Sequence, residues 1–397
     1  MSDRTVTFSE MVKEHLIEIG AGRPRTVNIN GQNFPILRVA NVLDGKVEYE
    51  RQTATANKSI QGDVSKVSRP GDVVLTTKGT VGRVALIPND GPTFAYSPQL
   101  CYFRPSSDGP LRSQFLYYWL KSAEFWSQAS SLKSQTDMAD FLSLGDVERM
   151  RITLPPLIRQ DAVASTLGAL DDKIAVNDRI ATTAEELCVS HFAEREGGPR
   201  VPVDALCRFD KRQANPSTLS ETSAMHFSLP SFDAGRTPEI TDPRTIKSLK
   251  FVVPPSAVLV SKLNPHTPRV WHVLHNEQMP ALASTEFLVL VPTEGVSTAE
   301  LWAALSQPAF TAEMAAKVTG TSNSHQRVKP SEIMGASIAD PREFGTLRQT
   351  VEDLLQRAIA ARQEIRTLQA LRDTLLPELM SGRLRVKDAE KVVEEAV

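Results

Sequence analysis

The chain has 397 residues, 41% of them hydrophobic and 23% charged, with a formal net charge of -2. That length predicts two or three ordinary domains, and the composition excludes a disordered or collagen-like chain. The charge gives no basic footprint over the whole molecule, although residues 1–150 carry 17 basic and 16 acidic side chains and residues 201–330 carry 12 and 11.

From Met1 to Gly20 charge alternates with isolated apolar residues, with no run long enough for a signal peptide or a membrane span. Thr7-x-x-Glu10 has the spacing of a capping box and predicts a helix carrying Val12, Leu16 and Ile19. Apolar runs at 73–75, 84–87 and 100–103 predict strands, separated by turns at Pro70-Gly71 and Asn89-Asp90-Gly91. Similar runs recur at 258–260 and 287–291. Cys101, Cys188 and Cys207 are too scattered for a disulfide framework or a zinc site, so a reducing cytoplasm is the expected compartment and no metal is expected.

The recurrence is an internal repeat. Pro70 and Pro255, Phe115–Phe125 and Glu300–Phe310, and Pro156 and Pro341 all differ by 185 positions, as do Ile174-Ala175 and Ile359-Ala360, and Ile180 and Ile365. Each copy is a mixed α/β stretch followed by a long amphipathic helix. In the second helix Leu347, Val351, Leu354, Ala358, Ala361, Ile365, Leu368, Arg372 and Leu375 follow steps of four and three, a heptad seam. The first begins the same pattern at Val163, Leu167, Leu170 and Ile174 and continues through Asn177, Ala181, Ala184 and Cys188, with Ile180 and Leu187 beside it. Asn177 is either a register-setting polar residue in a core or part of an exposed face. Pro155-Pro156 opens the first helix; Pro377 and Gly382 are expected to stop the second.

Two ordinary core helices would explain the stripes. If a pseudo-two-fold axis relates the copies, however, the helices pack antiparallel and hold the globular units apart, on a span comparable with one to one and a half turns of DNA. The predicted fold is α/β: two globular mixed α/β domains in pseudo-two-fold repeat, separated by two long antiparallel coiled-coil-like helices. The segments are a first domain 1–153, a spacer helix 154–198, a second domain 199–340, a spacer helix 341–386 and a tail 387–397.

The run LPPLIRQDAVASTLGALDDKIAVNDRI (Leu154 to Ile180) resembles the central conserved region of type I restriction-modification specificity subunits, and LRDTLLPELMSGRLRV (Leu371 to Val386) resembles their distal conserved region. SRPGDVVLTTKGTVGRVALI (Ser68 to Ile87) is similar to one class of target-recognition domain. VLVSKLNPHTPRVW (Val258 to Trp271), ALASTEFLVL (Ala281 to Leu290) and GTSNSHQRVKP (Gly320 to Pro330) are similar to another. The resemblance spans nearly the whole chain. It implies two target-recognition domains, each reading one half of a split double-stranded DNA site, with two modification (methyltransferase) subunits docked on the helical framework and restriction (translocase-nuclease) subunits added to them. It departs at ADPREFGTLRQ (Ala339 to Gln349), where the family's proline pair and glutamine region are altered.

Loops at strand ends that mix cations with amides and hydroxyls suit DNA, because cations take phosphates while amide and guanidinium groups read base edges. In the first copy the loop from Thr76 to Arg83 offers Lys78, Thr80 and Arg83, with two glycines that let backbone approach a phosphate. A β-turn with solvated charges is the plain alternative. In the second copy Lys262, Asn264, His266 and Arg269 occupy the corresponding place, and Ser324, His325, Gln326 and Arg327 form another polar cluster, Gln326 suited to adenine and Arg327 to guanine. Equally, these side chains could bond their own domain's backbone. The nearest first-copy counterpart of that cluster is Lys133-Ser134-Gln135, with Gln135 as the candidate.

His272-x-x-His275 near His266 lacks the ligand count of a metal site. The chain has no GxxxxGK[ST] loop, and its nearest approaches to an Asp/Asn-Pro-Pro-aromatic motif are Leu154–Leu157 and Val253–Ser256. No cofactor is expected in this chain; S-adenosylmethionine, ATP and Mg are expected in partner subunits, and catalysis comes in trans. The expected function is DNA sequence recognition without catalysis. A coiled-coil assembly scaffold that never meets DNA is the main alternative, and a self-sufficient methyltransferase or nuclease is the other.

Overall fold

The computed structural model describes residues 3–396 apart from 23–26, 30–31, 44, 49–59, 62–65, 133, 137–138, 194–197, 319–325 and 346. By packing, the chain forms two compact units, Met1–Asp172 with Leu368–Val397, and Lys173–Thr367. Each long helix is thus shared, its contacts dividing it between the two units.

In the first unit an antiparallel sheet runs in the order Ile17–Ala21, Leu100–Pro105, Val73–Thr76, Val84–Leu86. Val73–Thr76 is buried at every position, so its apolar run has no polar alternation. Helix Ser113–Lys121 packs against this sheet and buries Phe115, Leu116 and Trp119. Arg4–Thr7 pairs with Arg151–Leu154. Thr7 and Glu10 do form the capping box, Glu10 N–H donating to Thr7 Oγ1 at 3.1 Å and Thr7 N–H to Glu10 Oε2 at 2.7 Å. The helix it starts is shorter than predicted, Phe8–Lys13: His15 takes φ 56° and turns the chain, and Ile19 lies in a strand.

The second unit repeats the plan. Its sheet runs Cys207–Phe209, Phe287–Pro292, Ser256–Ser261, Val270–Leu274, and Arg200–Pro202 pairs with Ser337–Ala339. Helix Thr298–Leu305 carries its own capping box, Ser297 with Glu300, and packs on this sheet. A five-stranded sheet built from residues 213–283 buries Met225, Phe227 and Phe251 with Trp271, and its parallel pair Ala224–Phe227 and Ala281–Ala283 answers the parallel pair Ile36–Leu37 and Ala95–Tyr96 of the first unit.

The long helices are Leu157–Ala193 and Leu347–Ser381, of 37 and 35 residues, each roughly 50–55 Å at about 1.5 Å per residue. In the first unit Arg372 donates to Asp171 at 2.8 Å. In the second, Lys173 pairs with Glu364 at 3.5 Å and the Cys188 thiol donates to the Val351 carbonyl at 3.7 Å, a descending register that makes the segments antiparallel. Ala181, Ala184, Ala358 and Ala361 form their own apolar cluster, and such small side chains permit close helix approach.

Most seam residues are buried, including Leu167, Leu170, Val351, Leu368 and Leu375; Ile174, Leu347, Leu354 and Ile365 are half-buried. Asn177 is buried, which removes the exposed-face reading. Leu187, expected in the core, is 43% exposed. It sits one residue before Cys188, and that step of about 100° carries it off the seam. Leu355, buried beside Val351 and Ala358, takes a place the strict heptad assigned only to Leu354.

Pro377 does not stop the second helix, which continues to Ser381 and ends at Gly382 with φ 73°. One missing backbone donor near a helix end is tolerated, whereas a left-handed residue cannot continue the helix. At the altered ADPREFG run, Asp340 caps a 3-10 turn by accepting from the Arg342 backbone N–H at 3.0 Å. The second helix therefore starts at Leu347 rather than directly after its proline.

Candidate nucleic-acid interface

In the second unit the loop between Ser256–Ser261 and Val270–Leu274 is held at both sides by backbone bonds. Lys262 N–H donates to the Glu286 carbonyl at 2.8 Å, Val328 N–H to the Lys262 carbonyl at 3.0 Å, and Asn264 N–H to the Gln326 carbonyl at 2.9 Å; Leu263 and Arg327 form an antiparallel bridge. Asn264 takes φ 49°, a conformation asparagine tolerates better than most side chains, and Thr267 N–H closes the turn on its carbonyl at 2.9 Å. Three segments distant in sequence, 262–269, 286 and 326–328, therefore form one edge.

The first unit builds the same edge. Thr77 N–H donates to the Gln99 carbonyl at 2.9 Å, Leu142 N–H to the Thr77 carbonyl at 3.1 Å, and Lys78 bridges Phe141. Thr77 is thus the backbone equivalent of Lys262, Gln99 of Glu286, and Phe141–Leu142 of Arg327–Val328. Gly79 and Gly82 take φ 82° and 105°, and a Cβ at Gly82 would lie 2.3 Å from the Trp126 ring. Glycine is required there for both reasons.

The side chains divide by what already holds them. Lys78 and Thr80 are exposed, with the Lys78 ammonium 5.8 Å from the Phe141 ring centre. Arg83 is half-buried and donates to the Val42 carbonyl at 3.3 Å, while its backbone N–H reaches Thr76 Oγ1 at 2.9 Å, so it braces the hairpin. Lys262 is half-buried and His266 exposed. Arg269 is gripped by both oxygens of Asp233 at 2.7 and 2.9 Å, with only 13% of its side chain exposed. Arg327 is gripped by Glu286 at 3.0 and 3.1 Å but is 45% exposed. The Arg327 guanidinium holds the Glu286 carboxyl below its ordinary range, with Lys262 acting in the same direction. Gln326 is half-buried.

Ser324 and His325 lie outside the described residues. Gln135 is in strand Ser134–Thr136, paired opposite Asp140 in Ala139–Phe141. The segment matching Arg327 is therefore the second strand of that hairpin, at Phe141, within one residue of the repeat offset, rather than Lys133–Gln135. Glu286, Gln99 and Phe141 were missed from sequence. The available signal was position: Gln99 and Glu286 each immediately precede a strand of the repeated sheet.

His272 and His275 do not converge as a pair. His272 is within hydrogen-bonding distance of Thr298 Oγ1 at 3.1 Å, and burial drops its pKa to about 4. His275 contacts the Val253 and Pro254 carbonyls. Among the described residues no group of three or more His, Cys, Asp or Glu could hold a metal ion, and no helix is long and apolar enough to cross a membrane.

Residues 16–186 match the family described as the type I restriction modification DNA specificity domain. In fold the chain is similar to the type I restriction-modification system S subunit from M. genitalium, at 16% identity and a TM-score of 0.51 with 96% of each chain covered. The HsdS subunit from Thermoanaerobacter tengcongensis aligns at 18% identity and a TM-score of 0.35 over 96% of this chain and 97% of that one. No curated protein matches the sequence.

Proposed function

We propose that this chain, whose residues 16–186 match the type I restriction modification DNA specificity domain, is a DNA specificity subunit whose two edges each read one half of a bipartite, asymmetric DNA site. The family role is sequence recognition rather than catalysis. The observation that carries the split reading is the repeated edge: Thr77 and Lys262 occupy the same place in the same backbone bonding pattern, each joined to two distant segments. Matched frames suit two copies of one task, and unlike side chains on them suit unlike half-sites.

In this reading Lys78, Thr80, Lys262 and His266 face phosphate and groove, while Arg83 and Arg269 brace their loops and hold the frame. Two modification subunits dock on the helices, supply S-adenosylmethionine and flip and methylate the base. Restriction subunits supply ATP- and Mg-dependent translocation and cleavage. The assembly works in the cytoplasm. The near-neutral charge favours the scaffold alternative, and salt separates the two, because phosphate contacts release counterions and binding then falls steeply with salt.

The test is methylation mapping: the chain is expressed with its cognate modification subunit in a methylation-free host and the DNA is sequenced for methyladenine. Methylation at one split motif, altered in one half only when Lys262, Asn264 and Arg269 are changed together to Ala, is the expected result. Subunits that co-purify, with salt-insensitive or absent DNA retention and no motif, would make the chain a scaffold.

A further inference from the structure

We infer that Glu286 and Arg327 together read one G·C base pair in the half-site taken by the second unit, an assignment that rests on the DNA-reading role proposed above. A carboxylate on an edge that meets a polyanion is electrostatically unfavourable unless it has a donor to accept from. Glu286 is such a carboxylate, fixed at the start of Phe287–Pro292 by the bond from Lys262 N–H to its carbonyl. Its carboxylate takes the fork of Arg327, and the two side chains are 27% and 45% exposed. The neighbouring pair differs: the Arg269 side chain is 13% exposed, so its fork faces Asp233 from within the domain.

The chemistry of the exposed pair matches one base pair in one orientation. In the major groove guanine offers O6 and N7 as adjacent acceptors for a guanidinium fork, and the paired cytosine offers an N4 amino donor to a carboxylate. Adenine replaces O6 with an amino donor, which repels the fork, and thymine replaces the cytosine donor with an acceptor, which repels the carboxylate. On binding, one internal ion pair is exchanged for contacts to both bases, so neither charge is left unmatched. The first unit has Gln99 and Phe141 at the equivalent backbone positions and cannot make this reading.

The experiment maps methylation by the complete modification complex carrying E286Q, R327K, or the exchange E286R with R327E, which keeps an ion pair. Expected is a wild-type motif with a strict G·C position in one half, relaxed about tenfold or more by E286Q and by R327K while every other position keeps its preference. The exchanged pair should also lose that position despite retaining opposite charges. A motif equally strict in all three variants overturns the inference, as does a uniform fall at every position that the exchange restores, because the pair then only anchors the loop. A wild-type complex that co-purifies but yields no split motif overturns the DNA-reading role itself, and this assignment with it.

Discussion

Thr77 and Lys262 make the same two backbone bonds at the same corner of matching sheets, yet one is a small hydroxyl and the other a cation. The contrast continues around both edges. Where the first has Lys78 beside Phe141 and Gln99, the second has Leu263 beside Arg327 and Glu286. A frame of backbone bonds tolerates such replacement because every residue supplies a C=O and every residue except proline an N–H. One scaffold can therefore be kept while its chemistry changes.

The units also differ beneath their edges, and the largest expected effect lies there. In the first, Asp72 is fully buried, grips Arg104 with both oxygens at 2.7 Å and accepts from the Tyr96 hydroxyl at 2.7 Å. The repeat places Ala257 at this position in the second unit. Asp72→Ala should cost the first unit about 3–5 kcal/mol by leaving Arg104 buried without its main partner. Hydrogen exchange should show faster opening of 100–105 with 287–292 unchanged; equal loss in both would end the idea of separate supports.

Acid should separate the units in the opposite sense. His272 is half-buried, and desolvation lowers its pKa to about 4, below the ordinary 6.5, so the unfolded chain binds the proton more readily across that interval. Its contribution is present above pH 6.5 and is lost as pH falls towards 4, about 3 kcal/mol in all and roughly 2 by pH 5. Ile87 stands at the matching place in the first unit. Denaturant melts at pH 7 and pH 5 should weaken the second unit more, and His272→Gln should flatten that difference.

A smaller effect tests the edges themselves. Gly82→Ala meets both a φ of 105° and the Trp126 ring and should cost about 1–3 kcal/mol locally. Methylation mapping should then lose preference in the half-site read by the first unit alone. Asn264→Gly relieves a left-handed asparagine and should leave the second half-site intact. Smallest is the loss of single phosphate contacts: Lys78→Ala and Lys262→Ala should each reduce the log–log salt slope of DNA binding by about one. An unchanged slope would take that lysine off the phosphate backbone.

The sequence by itself determined the repeat, the principal strands, the capping box at Thr7 and most of both seams. These depend on local periodicity and cap chemistry, which a linear pattern records directly. It also located the two hairpin loops, because turn residues between apolar runs mark them. Tertiary structure alone decided which loop residues are already held. Arg83 and Arg269 look like Lys78 and His266 as exposed polar candidates until Val42 and Asp233, 41 and 36 positions away, are brought beside them. It also decided that Leu187 leaves the core and that Pro377 stays within a helix. The two braced arginines depend on partners whose sequence separation no period encodes, since burial and ion pairing are properties of what the fold places opposite a residue.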